Sequence, residues 1–260
     1  MLNASSKESK NTNKLHAWGP LAAVLMVMVT FLFIPVLAQI QVSFYPTLLG
    51  WDNATAEDWV LNSTSANFFY VLLTEILTFA VLYGFTAFKH VSFRVATALG
   101  KPKWRDIGHA FMGFFIYFFL FFVVMLVVQF IPAIDTDQEQ ALGFTRGISG
   151  TELAMAFVSL VVLPPIVEEI MFRGFFYGTL RSNKVKKWTA MIITSVLFGS
   201  LHLFGAAEGG LLWIAFIDTF ILSMVMCHFR ERNGTIWSTI GIHALKNGFV
   251  FLNLFIINAS

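Results

Sequence analysis

Charge is what this chain has least of. Only 12% of its 260 residues are Asp, Glu, Lys or Arg, and the net charge is +2, whereas a soluble domain carries about 25% charge. A water-wetted surface cannot be built from so few ionised groups, and mean hydropathy is +0.73. An ordinary soluble enzyme, a disordered chain and a collagen are all excluded. Cysteine is nearly missing too. The lone Cys227 excludes an intramolecular disulfide and a cysteine-based metal cluster, and its apolar surroundings suit a small core hydrophobe. No internal repeat is visible, and no second domain.

What remains is apolar. The AVILMFWYC set makes up 57% of the chain, with 30 phenylalanines. A membrane helix needs about 20 apolar residues, and seven such runs follow one another at about 20–45, 66–88, 109–133, 151–180, 188–204, 210–229 and 236–257. The pattern predicts an all-α fold, a polytopic membrane helix bundle of about seven transmembrane helices. Residues 1–18 read as a polar cytoplasmic tail, and 19–260 as a single membrane domain in the lipid bilayer. The first run is too long for a signal-peptide core, and Pro35 within it predicts a kink.

Basic and non-basic loops alternate along the chain. The tail carries Lys7, Lys10 and Lys14; 46–65 has Asp52, Glu57 and Asp58 without Lys or Arg; 89–106 has five basic residues. Next, 134–150 carries Asp135, Asp137 and Glu139 with only Arg146; 181–187 has Arg181, Lys184, Lys186 and Lys187; 205–209 has only Glu208; 230–234 has Arg230 and Arg232. The positive-inside rule then puts the N-terminus in the cytoplasm and the C-terminus outside. The stretch 94–106 is expected at the inner interface, anchored by Trp104.

An ionisable group within a span costs at least about 2.5–3.5 kcal/mol on insertion scales, so each one is a functional candidate. The in-span set is Glu75, Glu168, Glu169, Arg173, His202, Asp218, His243 and Lys246. Glu168 and Glu169 point about 100° apart on a helix and cannot share a task. Glu169 and Arg173 are four apart on one face, so Glu169 can neutralise and hold Arg173. Glu168 is left for another neighbour. In a poorly solvated cavity a carboxylate binds its proton more readily, which a general base working near neutral pH requires. The plainer reading makes both glutamates a structural cluster around Arg173. His202 closes FGSLH, one turn after Phe198, and His243 and Asn247 share a face in HALKN. Lys246 could pair with Asp218 or Glu75, or snorkel to the interface. Counting about 1.5 Å per residue from the basic edges puts Glu168 and His202 roughly 20 Å deep, and His243 roughly 10 Å deep.

The order E-E-x-x-x-R, F-x-x-x-H and H-x-x-x-N on successive spans, from about 150 to 255, resembles the CPBP family (CAAX protease and bacteriocin-processing, or Abi). That family includes the Rce1-type CAAX prenyl endopeptidases. The resemblance implies an intramembrane endopeptidase acting on membrane-associated peptides or proteins, in CAAX-type or bacteriocin-related processing or self-immunity. It implies that Glu168 activates the attacking water beside His202, that His243 and Asn247 stabilise the oxyanion, and that Glu169, Arg173 and Phe198 support the site. Asn and His are both suited to donating to an oxyanion. Glu168, His202 and His243 could also form a two-histidine, one-carboxylate site for a divalent metal such as zinc. The H-E-x-x-H pattern of zincins is missing, however, and a glutamate-driven water needs no metal, so the preferred reading requires no cofactor. No nucleic-acid partner is expected. Glu168, His202, His243 and Asn247 should converge on one water-accessible pocket opening toward the cytoplasm, with Arg173 turned away toward Glu169. The competing readings are a non-catalytic bacteriocin-immunity or binding protein, and a small transporter using Glu75, Asp218, Glu168 and the histidines. The lack of repeated halves weighs against the transporter.

Overall fold

The computed structural model describes residues 18–257 except 137, 139, 142, 146, 205, 207 and 208. The tail lysines, Asp137, Glu139, Arg146 and Glu208, on which part of the loop charge pattern rests, lie outside the described residues. Among those described there is no strand, only an isolated antiparallel bridge between Gln140 and Ala206. The all-α membrane bundle holds.

Among the described residues six helices are long and apolar enough to cross a bilayer: α1 (Pro20–Leu48), α3 (Thr64–Phe88), α4 (Trp104–Val128), α5 (Gly150–Ser182), α7 (Trp213–Asn233) and α8 (Trp237–Ile257). Between α1 and α3 lies a short helix α2 (Asn53–Asn62), which starts where Asp52 accepts the amides of Ala54 and Thr55 at 3.1 Å. The run expected as a span at 188–204 is the apolar helix α6 (Lys187–Leu201). Its 15 residues reach only about 22 Å, short of the roughly 30 Å hydrocarbon core. The seven expected segments are therefore six full-length spans and one short helix. The basic pair expected in a turn after 229 lies in the last turn of α7, which continues to Asn233 and ends at Gly234 in the left-handed region, φ 72°. Cations near a helix C-terminus are favoured by its dipole.

Proline shapes two helices. In α1 the segment Val29–Phe33 widens to π-helix just before Pro35, where the sequence predicts a kink. In α5, Pro164 and Pro165 lie between two π stretches, Val158–Val162 and Ile170–Phe176. Proline lacks the N–H that an α-helix needs and its ring crowds the preceding turn; a wider turn relieves this, and such turns concentrate at functional sites. The second π stretch carries Arg173. Its carbonyl accepts Arg230 Nε at 3.1 Å, which satisfies backbone that lipid cannot.

Small residues bring two helices together. A methyl group at Gly241 of α8 would sit 2.6 Å from the Ala110 Cβ of α4, so only glycine permits this approach. At the end of the bundle carrying the basic turns, Trp18, Phe172, Phe175, Phe176 and Tyr177 form a closed aromatic core. Trp104 stands 89% exposed at the head of α4.

Candidate active site

The functional side chains come from α5, α6, α7 and α8. In α5, Arg173 Nη1 donates to Glu169 Oε1 at 2.8 Å, and both side chains are fully buried. Glu169 thus holds Arg173, as their spacing predicts. Glu168 on the adjacent helical position turns into a cavity of about 220 Å³.

The ring of Phe198 organises the rest. Arg173 Cζ lies 4.3 Å from its centroid. His202 packs at 4.8 Å between centroids and His243 at 5.9 Å. A guanidinium over an aromatic face is attracted by the ring quadrupole, so one buried ring positions a cation and both histidines.

The hydrogen bonds assign the imidazole tautomers. His202 Nδ1 lies 2.9 Å from the Phe198 carbonyl oxygen. A carbonyl only accepts, so Nδ1 carries the proton and Nε2 is the free lone pair in a neutral ring. His243 Nδ1 lies 3.1 Å from Glu169 Oε1, a carboxylate oxygen already paired with Arg173, so Nδ1 again donates. His243 Nε2 then stands 4.0 Å from Glu168 Oε2, too long for a direct hydrogen bond.

Asn247 is engaged as well. Its Nδ2 donates to the Leu160 carbonyl at 2.9 Å. That carbonyl would accept from residue 164 in an α-helix or from residue 165 in a π-helix, and both are proline and have no N–H. Asn247 of α8 therefore satisfies the acceptor that Pro164 leaves open in α5. One of its two amide hydrogens is used in this way.

Glu168, His202, His243 and Asn247 all line the cavity, together with Asp218 and Lys246. Arg173 does not. Two expectations from helix geometry are overturned. His243 was counted as shallower than Glu168, yet it contacts both glutamates. A count along each helix takes all helices to start at one level, which the approach of His243 to both glutamates rules out. The cavity was also expected to open toward the cytoplasmic, basic side. Its lining instead comes from the first halves of α5 and α7, the end of α6, the second half of α8, and Gln140 in the loop before α5. The cavity therefore lies toward the end bearing Gln140 and His202, away from the basic turns. A depth of roughly 20 Å from the basic edge already lies two-thirds of the way across a 30 Å core, so the shorter path to water is from the other face.

Several partners were not legible from motifs. Asp218 Oδ2 pairs with Lys246 Nζ at 2.8 Å, one of the pairings open for Lys246. Asp218 Oδ1 accepts from the Tyr117 hydroxyl of α4. Tyr117 is the one hydroxyl-bearing ring in the run FFIYFFLFF, a signal that could have been read. Glu231, outside the in-span set, accepts from Arg181 at 2.8 Å and from Tyr177 at 2.7 Å. Glu75 of α3 lies within Coulombic reach of Glu168 but does not line the cavity.

The donor types Glu168, His202 and His243 suit zinc, which binds nitrogen and oxygen ligands at about 2.0–2.2 Å. Among the described residues, however, no three His, Cys, Asp or Glu side chains are grouped closely enough to hold a metal ion. The residues as placed do not fit one.

Comparison with known proteins bears directly on the motif-bearing half. Residues 150–249 match the family described as type II CAAX prenyl endopeptidase Rce1-like. The resemblance to the CPBP family is thereby shown. The Rce1-like segment contains Glu168, His202, His243 and Asn247. UPF0177 protein YbdI of Lactococcus lactis is 27% identical over 193 residues, 71% of this chain and 94% of that protein. Uncharacterized protein YyaK of Bacillus subtilis is 31% identical over 167 residues, 62% of this chain and 51% of that protein. A second Bacillus subtilis protein, named "Putative membrane peptidase YdiL", is 31% identical over 143 residues, 55% of this chain and 54% of that protein. The chain thus spans about half the length of the two Bacillus relatives. No solved structure matches it.

Proposed function

We propose that this protein is an intramembrane endopeptidase that hydrolyses peptide bonds of membrane-associated peptides or proteins. The observation that carries this reading is the convergence of Glu168, His202, His243 and Asn247 on one cavity beside the buried Glu169–Arg173 pair, within the Rce1-like segment. Glu168 is the general base: it takes a proton from a water held near His202 Nε2, and that water attacks the scissile carbonyl. The Glu168 proton then passes to the departing nitrogen as the C–N bond breaks. Asn247 has one amide hydrogen left for the carbonyl oxygen. His243 Nε2 can donate to it when that nitrogen carries a proton, with Nδ1 held by Glu169. Phe198, Glu169 and Arg173 hold these groups in place without touching the substrate.

The chemistry requires no metal in this reading, since a carboxylate supplies the base and amide and imidazole groups supply the donors. Peptides are expected to enter from the face opposite the basic turns. With the N-terminus inside, that face is extracellular, which suits exported peptides such as bacteriocins and their leaders.

The test is digestion of a proteome-derived peptide library by protein purified in dodecyl maltoside, with product termini read by mass spectrometry. The wild type should generate new termini, Glu168→Gln should generate none, and 1,10-phenanthroline should not change the result. Identical termini from both proteins would overturn the enzyme and favour a binding or immunity role. Loss of cleavage with chelator, restored by zinc, would overturn the metal-free mechanism alone.

A further inference from the structure

The cavity contains a charged residue that the proposed hydrolytic roles leave unused. Lys246 lies one turn beyond His243 on α8 and lines the same cavity as His243 and Asn247. It is the only Lys or Arg among the described residues lining the cavity, since Arg173 is sealed behind Phe198. Its Nζ is 2.8 Å from Asp218 Oδ2, and the two side chains are 17% and 15% exposed. Asp218 is itself fixed, because its other oxygen accepts the Tyr117 hydroxyl. Three helices thus contribute to holding one ammonium at the cavity wall.

Holding a charge there is costly even when it is paired, so an in-span ammonium is a functional candidate. An ammonium has three N–H donors, and Asp218 takes one. Meanwhile the donors expected to serve an oxyanion are partly committed: His243 Nδ1–H to Glu169, and one Asn247 N–H to Leu160. The cavity also carries the Asp218 carboxylate, which would repel a developing negative charge unless a cation stands beside it. Lys246 lies within Coulombic reach of Glu168, His202 and His243.

We propose that Lys246, positioned by Asp218 and Tyr117, is the cationic seat for the oxyanion of the tetrahedral intermediate and for the carboxylate it becomes. The hydrolytic part of this rests on the endopeptidase reading. As the water oxygen bonds to the carbonyl carbon, the C=O π pair moves onto oxygen, and that oxygen accepts an N–H from Lys246. When the pair returns, the C–N bond breaks and the nitrogen leaves with the proton from Glu168. The acid so formed gives its remaining hydroxyl proton to the regenerated Glu168 carboxylate, and the resulting product carboxylate remains against the ammonium. The ligand class is a small monoanion with oxygen donors.

Dimethylphosphinate, a tetrahedral monoanion, tests the seat without turnover. Its binding to protein in dodecyl maltoside can be followed by 31P saturation transfer. Saturable binding is expected for wild type and for Glu168→Gln. Lys246→Met should weaken it at least about tenfold, and Lys246→Arg should retain it within a few-fold. If Lys246→Met fails to fold because Asp218 is stranded, Asp218→Asn with Lys246→Met removes the stranded charge and should show the same loss. No saturable binding to wild type, or unchanged affinity without Lys246, would overturn the seat. On a peptide that the wild type cleaves, Lys246→Met should lower kcat about 10²–10³-fold, the usual cost of one oxyanion donor, with KM little changed. Cleavage by Glu168→Gln at the wild-type rate would instead overturn the hydrolytic reading and leave the anion seat to be judged by phosphinate binding.

Discussion

His243 meets Glu169 at the same oxygen, Oε1, that already accepts Arg173. One buried carboxylate thus joins α5 to α8 and orients an imidazole toward Glu168. The two adjacent glutamates are therefore expected to fail differently when neutralised.

Glu168→Gln should abolish turnover while leaving the folded yield intact, because Glu168 faces a cavity and has no direct ion-pair partner closer than 4.0 Å. Glu169→Gln should strand Arg173, which is fully buried. Breaking a buried pair costs about 3–5 kcal/mol, so detergent-stable yield and thermal stability should fall together with activity. Equal loss of fold in both variants, seen by size-exclusion profile and thermal melt, would assign both glutamates to structure.

Asn247 and Pro164 should be energetically coupled. Asn247→Ala leaves the Leu160 carbonyl without a donor, a cost of about 1–3 kcal/mol for a buried acceptor. Restoring both N–H groups with Pro164→Ala and Pro165→Ala should return most of that stability in the combined variant. Activity should not return if the second amide hydrogen of Asn247 serves the substrate. A thermodynamic cycle with additive effects would show that the contact carries no weight.

How much of this was legible in the sequence depended on whether the controlling geometry was local. The Glu169–Arg173 pair follows from a spacing of four on one helix, and the spans follow from apolar runs. The π-helical stretch before Pro35 follows from a missing N–H. The Tyr117–Asp218–Lys246 network does not, because it joins three helices with no shared motif. The level of His243 is not legible for a related reason: helices need not start at one depth, and a residue count along a single helix cannot register that. The Asn247–Leu160 contact is intermediate. Pro164 marks the orphaned carbonyl, but nothing in the sequence names its donor.

Sidedness can be read by labelling. Cys227 is buried and can be replaced by Ala, giving a cysteine-free background. A membrane-impermeant maleimide applied to intact cells should label cysteine at Glu57 but not at Lys186. A cysteine at Val250, on the cavity wall, should react from the same side as Glu57. Labelling of Val250 only after the cells are opened would place the mouth on the cytoplasmic face and reverse the proposed route of substrate entry.

The short helix α6 has a consequence for the surrounding lipid. At about 22 Å, it leaves several ångströms of hydrocarbon unmatched where it ends at His202. Bilayers accommodate such a deficit by local thinning, at fractions of a kcal/mol per Å. A thinned rim beside His202 would bring headgroups and water toward the cavity and ease the passage of a peptide lying at the interface. Acyl-chain length then becomes a control parameter. Reconstituted in a phosphatidylcholine series from 14 to 22 carbons, the protein should be most active in the thinner members and progressively slower as the thickening membrane closes over that rim.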